Sequence, residues 1–281
     1  MTTDLYLGDC LDVLPTIRSQ SVDCVITDPP YPHIKRSYGT WTTEEWWALM
    51  VEGVIPEVRR ILKPTGSAVF VLQPNSEHVG QMRGWLWEFM AWVCREWNMV
   101  QDVWWWNYTQ APNVHCHRRI GLMRPSIKSV VWCGAPDCYR DQSSVLEVPS
   151  SRTMELKTRG RKLKHSPSGY TTRHARAADA LQERGGVTPF NLLRICNNGN
   201  GNTNGHGAGT PLALADWWTR YICPPGGTVC DPFVGSGTMG LAALQNGCSF
   251  IGIDAVPKYI AIAQERIAAA QAEMIQARMV V

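Results

Sequence analysis

"DPFVGSGTMGLAAL", residues 231–244, decides how the chain is read. A short apolar strand, residues 228–230, runs into it, Gly235 and Gly237 let the backbone pass close to a ligand, and a helix follows. Strand, glycine-rich turn and helix in that order is where doubly wound sheets hold nucleotide-like cofactors. The spacing is neither the phosphate-binding G-x-x-x-x-G-K-[ST] nor the dinucleotide G-x-G-x-x-G, and no lysine follows Gly237. Nucleoside triphosphates and NAD are therefore disfavoured. The next strand, "SFIGID" at residues 249–254, ends on Asp254, a carboxylate placed to accept from ribose hydroxyls.

About 200 residues upstream, "ITDPPYPH" (residues 26–33) ends another apolar run, "SVDCVIT" at 21–27. Consecutive prolines cannot donate to a sheet ladder, so the strand stops there and the flanking carbonyls lose regular partners. The stretch is built to hold acceptors in place, unless it is a plain Asp-Pro turn. Between the two motifs, "SAVFVLQ" (67–73), "VQDVWWW" (100–106) and "IKSVVWC" (127–133) read as strands. Residues 43–62 and 82–96 have helical spacing, the first capped by Thr42 or Thr43 and ended by a "LKPTG" turn at 62–66. After residue 210 come a helix in "PLALADWWTRYI", the strand, glycine loop and strand already described, and a long helix over 257–279. This alternation predicts an α/β fold with a mostly parallel, doubly wound sheet covered on both faces.

With 281 residues, 44% of them hydrophobic, the chain can bury a large core, and a net charge of +3 neither demands nor excludes a polyanionic partner. Asp4 and Asp9 stand where a signal peptide would be apolar, and ten scattered cysteines form no secreted framework. Reduced thiols and a cytoplasmic location are expected. No apolar run approaches the roughly 18 residues of a membrane span. Most of the thirteen tryptophans are expected in core packing.

Asp28-Pro29-Pro30-Tyr31 matches [DNS]-P-P-[YFW], Asp231 to Gly237 matches D-x-F-x-G-x-G, Gly8 to Leu11 matches GD-x-L, and Arg60 to Gly66 matches R-x-L-K-P-x-G. In these motifs and their order, the chain resembles the S-adenosylmethionine-dependent DNA amino-methyltransferases of the permuted β class. The resemblance covers the two flanks of the chain and hardly touches its middle. It implies a Rossmann-like methyltransferase with residues 1–149 as catalytic half, 150–209 as a basic target-recognition insertion and 210–281 as cofactor half. It also implies acceptor roles for Asp28 and Pro29 in the Asp28-Pro29-Pro30-Tyr31 motif, with the Tyr31 ring stacked on a base flipped out of double-stranded DNA. Cofactor contacts implied are Asp9, Cys10, Asp28, Thr210, Asp231, Pro232, Phe233, Gly235, Ser236, Gly237, Thr238 and Asp254. Around Thr210 the family pattern is matched only in part, by His206 and Thr210-Pro211. Where the family has an acidic residue on a strand lining the base pocket, this chain has none, near Lys128. Homodimers are common in the class, and a partner restriction endonuclease fits it; no nuclease segment is visible in this sequence.

The stretch from Arg152 to Arg184 carries nine Lys and Arg against three acids, and a Gly- and Asn-rich run follows at 197–209. A charge run is most often a solvated face, yet in this position it suits phosphate contact, with Lys157, Arg159, Arg161, Lys162 and Lys164 as contacts. A metal site built from "HCHRR" (115–119) with Cys133 and Cys138 is disfavoured by its Cys-x4-Cys spacing, and none is expected. The resemblance further implies adenine N6 as the methylated atom, because cytosine-N4 members of the class more often begin the motif with Ser where this chain has Asp28, with cytosine N4 as the alternative. Methylation of protein glutamine or a small molecule is a more distant reading, because those chains usually place the cofactor loop before the proline motif. An inactive DNA-binding relative is opposed by the intact motifs.

Overall fold

The computed structural model describes residues 1–36, 39–111, 116, 120–148, 184–197 and 209–279. The chain divides into two units, Met1–Arg140 with Asn191–Val281, and Asp141–Phe190. The first contains the strands β1 (Thr3–Leu7), β2 (Val22–Thr27), β3 (Leu62–Leu72), β4 (Ser76–His78), β5 (Gln81–Met82), β6 (Met99–Trp106), β7 (Ile127–Gly134), β8 (Leu192–Arg194), β9 (Thr228–Asp231) and β10 (Ser249–Asp254). Among the described residues β4 and β5 form a small hairpin, and the other eight form one sheet in the order β1-β10-β9-β2-β3-β7-β6-β8. Only β7 in that sheet runs against its neighbours, so the expected mostly parallel sheet is present.

Each face of the sheet has its own core. Cys24 and Ile26 of β2 point to one side and Val25 to the other, as the two-residue period of a strand requires, and all six residues of β2 are buried. One face packs against helices α5 (Leu212–Ile222), α6 (Thr238–Gln245) and α7 (Pro257–Met279), with Trp132, Trp218 and Phe250 in its core. The other packs against α1 (Cys10–Val13), α2 (Thr43–Trp47), α3 (Ile55–Ile61) and α4 (Trp85–Glu96), around Trp46, Phe70, Trp85 and Phe89. Most of the tryptophans thus serve packing.

Two local readings are corrected. The expected helix over 43–62 starts in a capping box between Thr42 and Glu45, but passes through a wider π turn at Ala48–Val54 before continuing as α3. The expected turn at 62–66 is a bulge within β3: Leu62 pairs with Val22 and Ser67 with Cys24, leaving 63–66 looped out. Pro64 has no N–H to donate, and Lys63 Nζ instead reaches both carboxylate oxygens of Asp23 at 2.8 Å.

In the second unit Asp141 caps a short turn at Gln142–Val145, and Glu147 bridges Val187. The basic residues Lys157, Arg159, Arg161, Lys162 and Lys164 lie outside the described residues, as do His115, His117 and His206. No described helix is long and apolar enough to cross a membrane.

Candidate active site

The sheet order brings the two motifs together. From β9 the chain turns one way to β10, and from β2 it turns the other way to β3, so the adjacent carboxyl ends of β9 and β2 open a crevice at the switch point. A cleft of about 710 Å³ lies there. Thr27 and Asp231, 204 residues apart, are joined across it: Thr27 Oγ1 donates to Asp231 Oδ1 at 2.6 Å.

The glycine loop is held from within. Asp231 Oδ1 also accepts from the Phe233 N–H at 3.0 Å, and Asp254 accepts from Gly235 N–H at Oδ2 and from Val256 N–H at Oδ1, each at 2.9 Å. Both carboxylates therefore shape the loop as well as line the cleft. Gly237 starts α6 with φ +81°, and a Cβ there would stand 3.0 Å from the Ala263 Cβ of α7. Gly237→Ala is expected to cost about 1–2 kcal/mol from the left-handed backbone alone, read as a lower urea midpoint; an unchanged midpoint would show that the loop relaxes freely.

Of the cofactor residues expected from the sequence, Asp9, Cys10, Asp28, Thr210, Asp231 and Pro232 line the cleft. So do Phe233, Gly235, Ser236, Thr238 and Asp254, whereas Gly237 shapes the loop without lining it. Asp9 caps α1 by accepting from Leu11 N–H at 2.9 Å. Cys10 is buried beside it, and burial together with the Asp9 charge pushes its thiol up to about 12, so it stays protonated.

Burial pushes the Asp231 carboxyl up to about 7, against the bonds from Thr27 and Phe233 that lower it, while the charges of Asp254 and Asp28 raise it further. The unfolded chain gives up this proton near 3.8. Stability from the protonated form is thus full at low pH and is lost as the pH rises toward 7. Asp231→Asn keeps an acceptor at Oδ1 and removes the charge. The variant should gain in melting temperature over the wild type as the pH goes from 5 to 8, and a gap that does not widen would contradict this.

The proline turn is anchored by aromatic and amide side chains. Trp46 Nε1 donates to the Pro30 carbonyl at 2.7 Å and Asn75 Nδ2 to the Pro32 carbonyl at 2.6 Å. Among the described residues no donor reaches the Pro29 carbonyl. Asp28 is surrounded by donors: the Tyr31 hydroxyl bonds to Oδ1, Thr210 Oγ1 to Oδ2 at 2.8 Å, and Lys128 Nζ stands 3.4 Å from Oδ2. Thr210, expected at the cofactor, thus also serves the Asp28 carboxylate. Sequence reading passed over Trp46 and Lys128, together with Lys35, Arg36, Trp41 and Tyr259 of the cleft wall. For Lys128 the missing acid on that strand was a usable signal; the others carry none.

Solved structures that superpose on this chain include DNA methyltransferases. One titled PvuII DNA methyltransferase (cytosine-N4-specific) superposes with a TM-score of 0.71 at 21% identity, covering 96% of this chain and 91% of that one. A putative DNA modification methylase from Thermus thermophilus, in complex with S-adenosyl-L-methionine, gives a TM-score of 0.60 at 22% identity, covering 96% of each chain. The fold is accordingly that of a Rossmann-like methyltransferase. More specifically, the chain belongs to the DNA methylase family, whose model matches residues 22–265, and is an S-adenosylmethionine-dependent DNA amino-methyltransferase. The DNA adenine methyltransferase YhdJ of Escherichia coli (strain K12) is 27% identical over 263 residues, 92% of this chain and 81% of that protein.

The chemistry of the lining suits this cofactor. The cleft wall carries four carboxylates, Asp9, Asp28, Asp231 and Asp254, and three cations, Lys35, Arg36 and Lys128, so it offers acceptors for the ammonium and ribose hydroxyls of this cofactor and donors for its carboxylate. Phe233, Val234 and Met239 add apolar surface for a purine ring.

Proposed function

We propose that the chain methylates the exocyclic N6 of adenine in double-stranded DNA. The observation that carries amino-group methylation is the pair of acceptors at the end of β2, the Asp28 carboxylate and the Pro29 carbonyl, which no donor among the described residues engages, and within the class Asp at position 28 favours adenine. An aromatic amine is a poor nucleophile because its lone pair is conjugated into the ring. Two acceptors that take its two hydrogens localise the pair on nitrogen, and the neighbouring Pro30 carbonyl does not compete because Trp46 occupies it. The bound cofactor supplies the electrophilic methyl group. As the carbon–sulfur bond of the sulfonium breaks to leave a neutral thioether, nitrogen would gain the methyl and release a proton, which the Asp28 carboxylate is placed to accept. Asp9, Asp231 and Asp254 with the glycine loop bind and orient the cofactor, and the Tyr31 ring supports the flipped base. Residues 150–209, with Lys157, Arg159, Arg161, Lys162 and Lys164, hold the duplex by its phosphates.

Cytosine N4 is the second reading, supported by the likeness to the cytosine-N4-specific PvuII enzyme. DNA from cells expressing the chain, digested to nucleosides and analysed by mass spectrometry, separates the two. N6-methyladenine is expected; N4-methylcytosine in its place would move the assignment to cytosine, and neither would reject both.

A further inference from the structure

Lys128 is the one described cation in contact with the acceptor carboxylate, and neither the glycine loop nor the proline motif accounts for it. It sits at the start of β7, paired in register with Trp105 of β6. Its Nζ stands 3.0 Å from the Tyr31 hydroxyl and 3.4 Å from Asp28 Oδ2. The Trp105 ring centroid lies 5.1 Å from Nζ, and that ring is fixed by a bond from its own Nε1 to the Ile195 carbonyl at 2.8 Å. From the Tyr31 ring centroid Nζ is 5.4 Å away. With Nζ only 3.0 Å from the hydroxyl oxygen, the ammonium stands beyond the hydroxyl end of the ring.

We propose that Lys128 is a positioning residue for methyl transfer, acting through Tyr31 and Asp28; this rests on the amino-methyltransferase reading above. An ammonium can only donate, so it fills a lone pair of the Tyr31 oxygen and directs the single hydroxyl hydrogen to an acceptor. Two acceptors are in reach, Asp28 Oδ1 and the Val71 carbonyl at 3.2 Å. The second contact of the ammonium, on Oδ2, draws the carboxylate toward the same side and selects Oδ1 as the acceptor. Platform and acceptor are thereby tied into one unit before a base arrives. Without Lys128 the hydroxyl is free to turn to Val71, and the carboxylate is held by Thr210 alone. The side chains of Lys128 and Asp28 are 20% and 22% exposed, so solvent screens the contact and its loss should be modest.

The test is a double-substitution cycle of Lys128→Met and Tyr31→Phe, read in kcat and KM on cellular DNA that the wild-type protein methylates. Lys128→Met should lower kcat roughly tenfold, the size of one charge-assisted hydrogen bond, with KM for DNA and cofactor within about twofold. Lys128→Arg should recover part of the loss. In the Tyr31→Phe background, where the hydroxyl is gone, Lys128→Met should cost much less. Equal losses in both backgrounds, a change confined to KM, or an unchanged kcat would each overturn the proposal. Circular dichroism melting of each variant separates misfolding from misplacement: a loss that tracks melting temperature overturns it too. Failure of the wild type to methylate DNA would instead remove the functional reading itself.

Discussion

Asp28→Ala is expected to lower the rate of methyl transfer by about 10²–10⁴-fold, the range for removing a group that handles the reacting proton. Cofactor affinity should change little. Asp28 is one of four carboxylates in the cleft, and the loop that would wrap the cofactor is organised by Asp231 and Asp254, not by Asp28. Tritiated methyl incorporation into DNA gives the rate, and isothermal titration with S-adenosylmethionine gives the affinity. Retention of full activity would take Asp28 out of the chemistry. A parallel collapse of cofactor binding would show that its role is architectural. The substitution also strands Lys128 and Thr210, so Asp28→Asn serves as a milder control: it preserves shape but puts an N–H₂ either where Oδ2 accepts from both of them or where Oδ1 accepts from the Tyr31 hydroxyl.

The largest effect on the folded state is expected at Trp46. Its ring is fully buried, edge-on to Trp85 at 4.8 Å and to Phe89 at 5.3 Å between centroids. Truncation to alanine should destabilise the protein by about 3–5 kcal/mol, as for other buried aromatic side chains. Trp46→Phe is the more informative change. It keeps most of the apolar volume and removes the N–H that satisfies the Pro30 carbonyl. Leaving that carbonyl unpaired should cost about 1–3 kcal/mol, and the freed turn should lower kcat more than it raises KM. Urea unfolding with parallel kinetics checks both. A phenylalanine variant as stable and active as the wild type would mean that the turn is held by Asn75 and the chain itself.

Much of this was legible in the residues. Val22–Thr27 is mostly apolar and is followed, after Asp28, by two prolines, so a buried strand with a fixed end could be read directly, and the fold has it. Gly235 and Gly237 could be read as a close-approach turn because few other residues adopt positive φ there. The strands β1 and β8 were missed: β1 shows half-exposed alternation in only five residues, and β8 is three residues long, so neither gives a periodic signal. Lys63 shows another limit. In sequence "LKPTG" has the residues of a turn, and only the pairing of Leu62 with Val22 and of Ser67 with Cys24, with Lys63 on the Asp23 carboxylate, shows it to be a bulge inside a strand.

By itself the sequence determined the long buried strands and most of the helices, the turns at the two motifs, and which side chains carry acceptor chemistry, because those follow from periodicity, proline and glycine within a few residues. The tertiary structure alone decided which of them meet. Thr210 lies 182 residues and Lys128 100 residues from Asp28, and both reach its carboxylate because the sheet order and the register of β7 set their positions. Strand order is settled by long-range pairing and by burial of both sheet faces, and a one-residue slip in β7 would turn Lys128 to the opposite face. No local pattern records that choice.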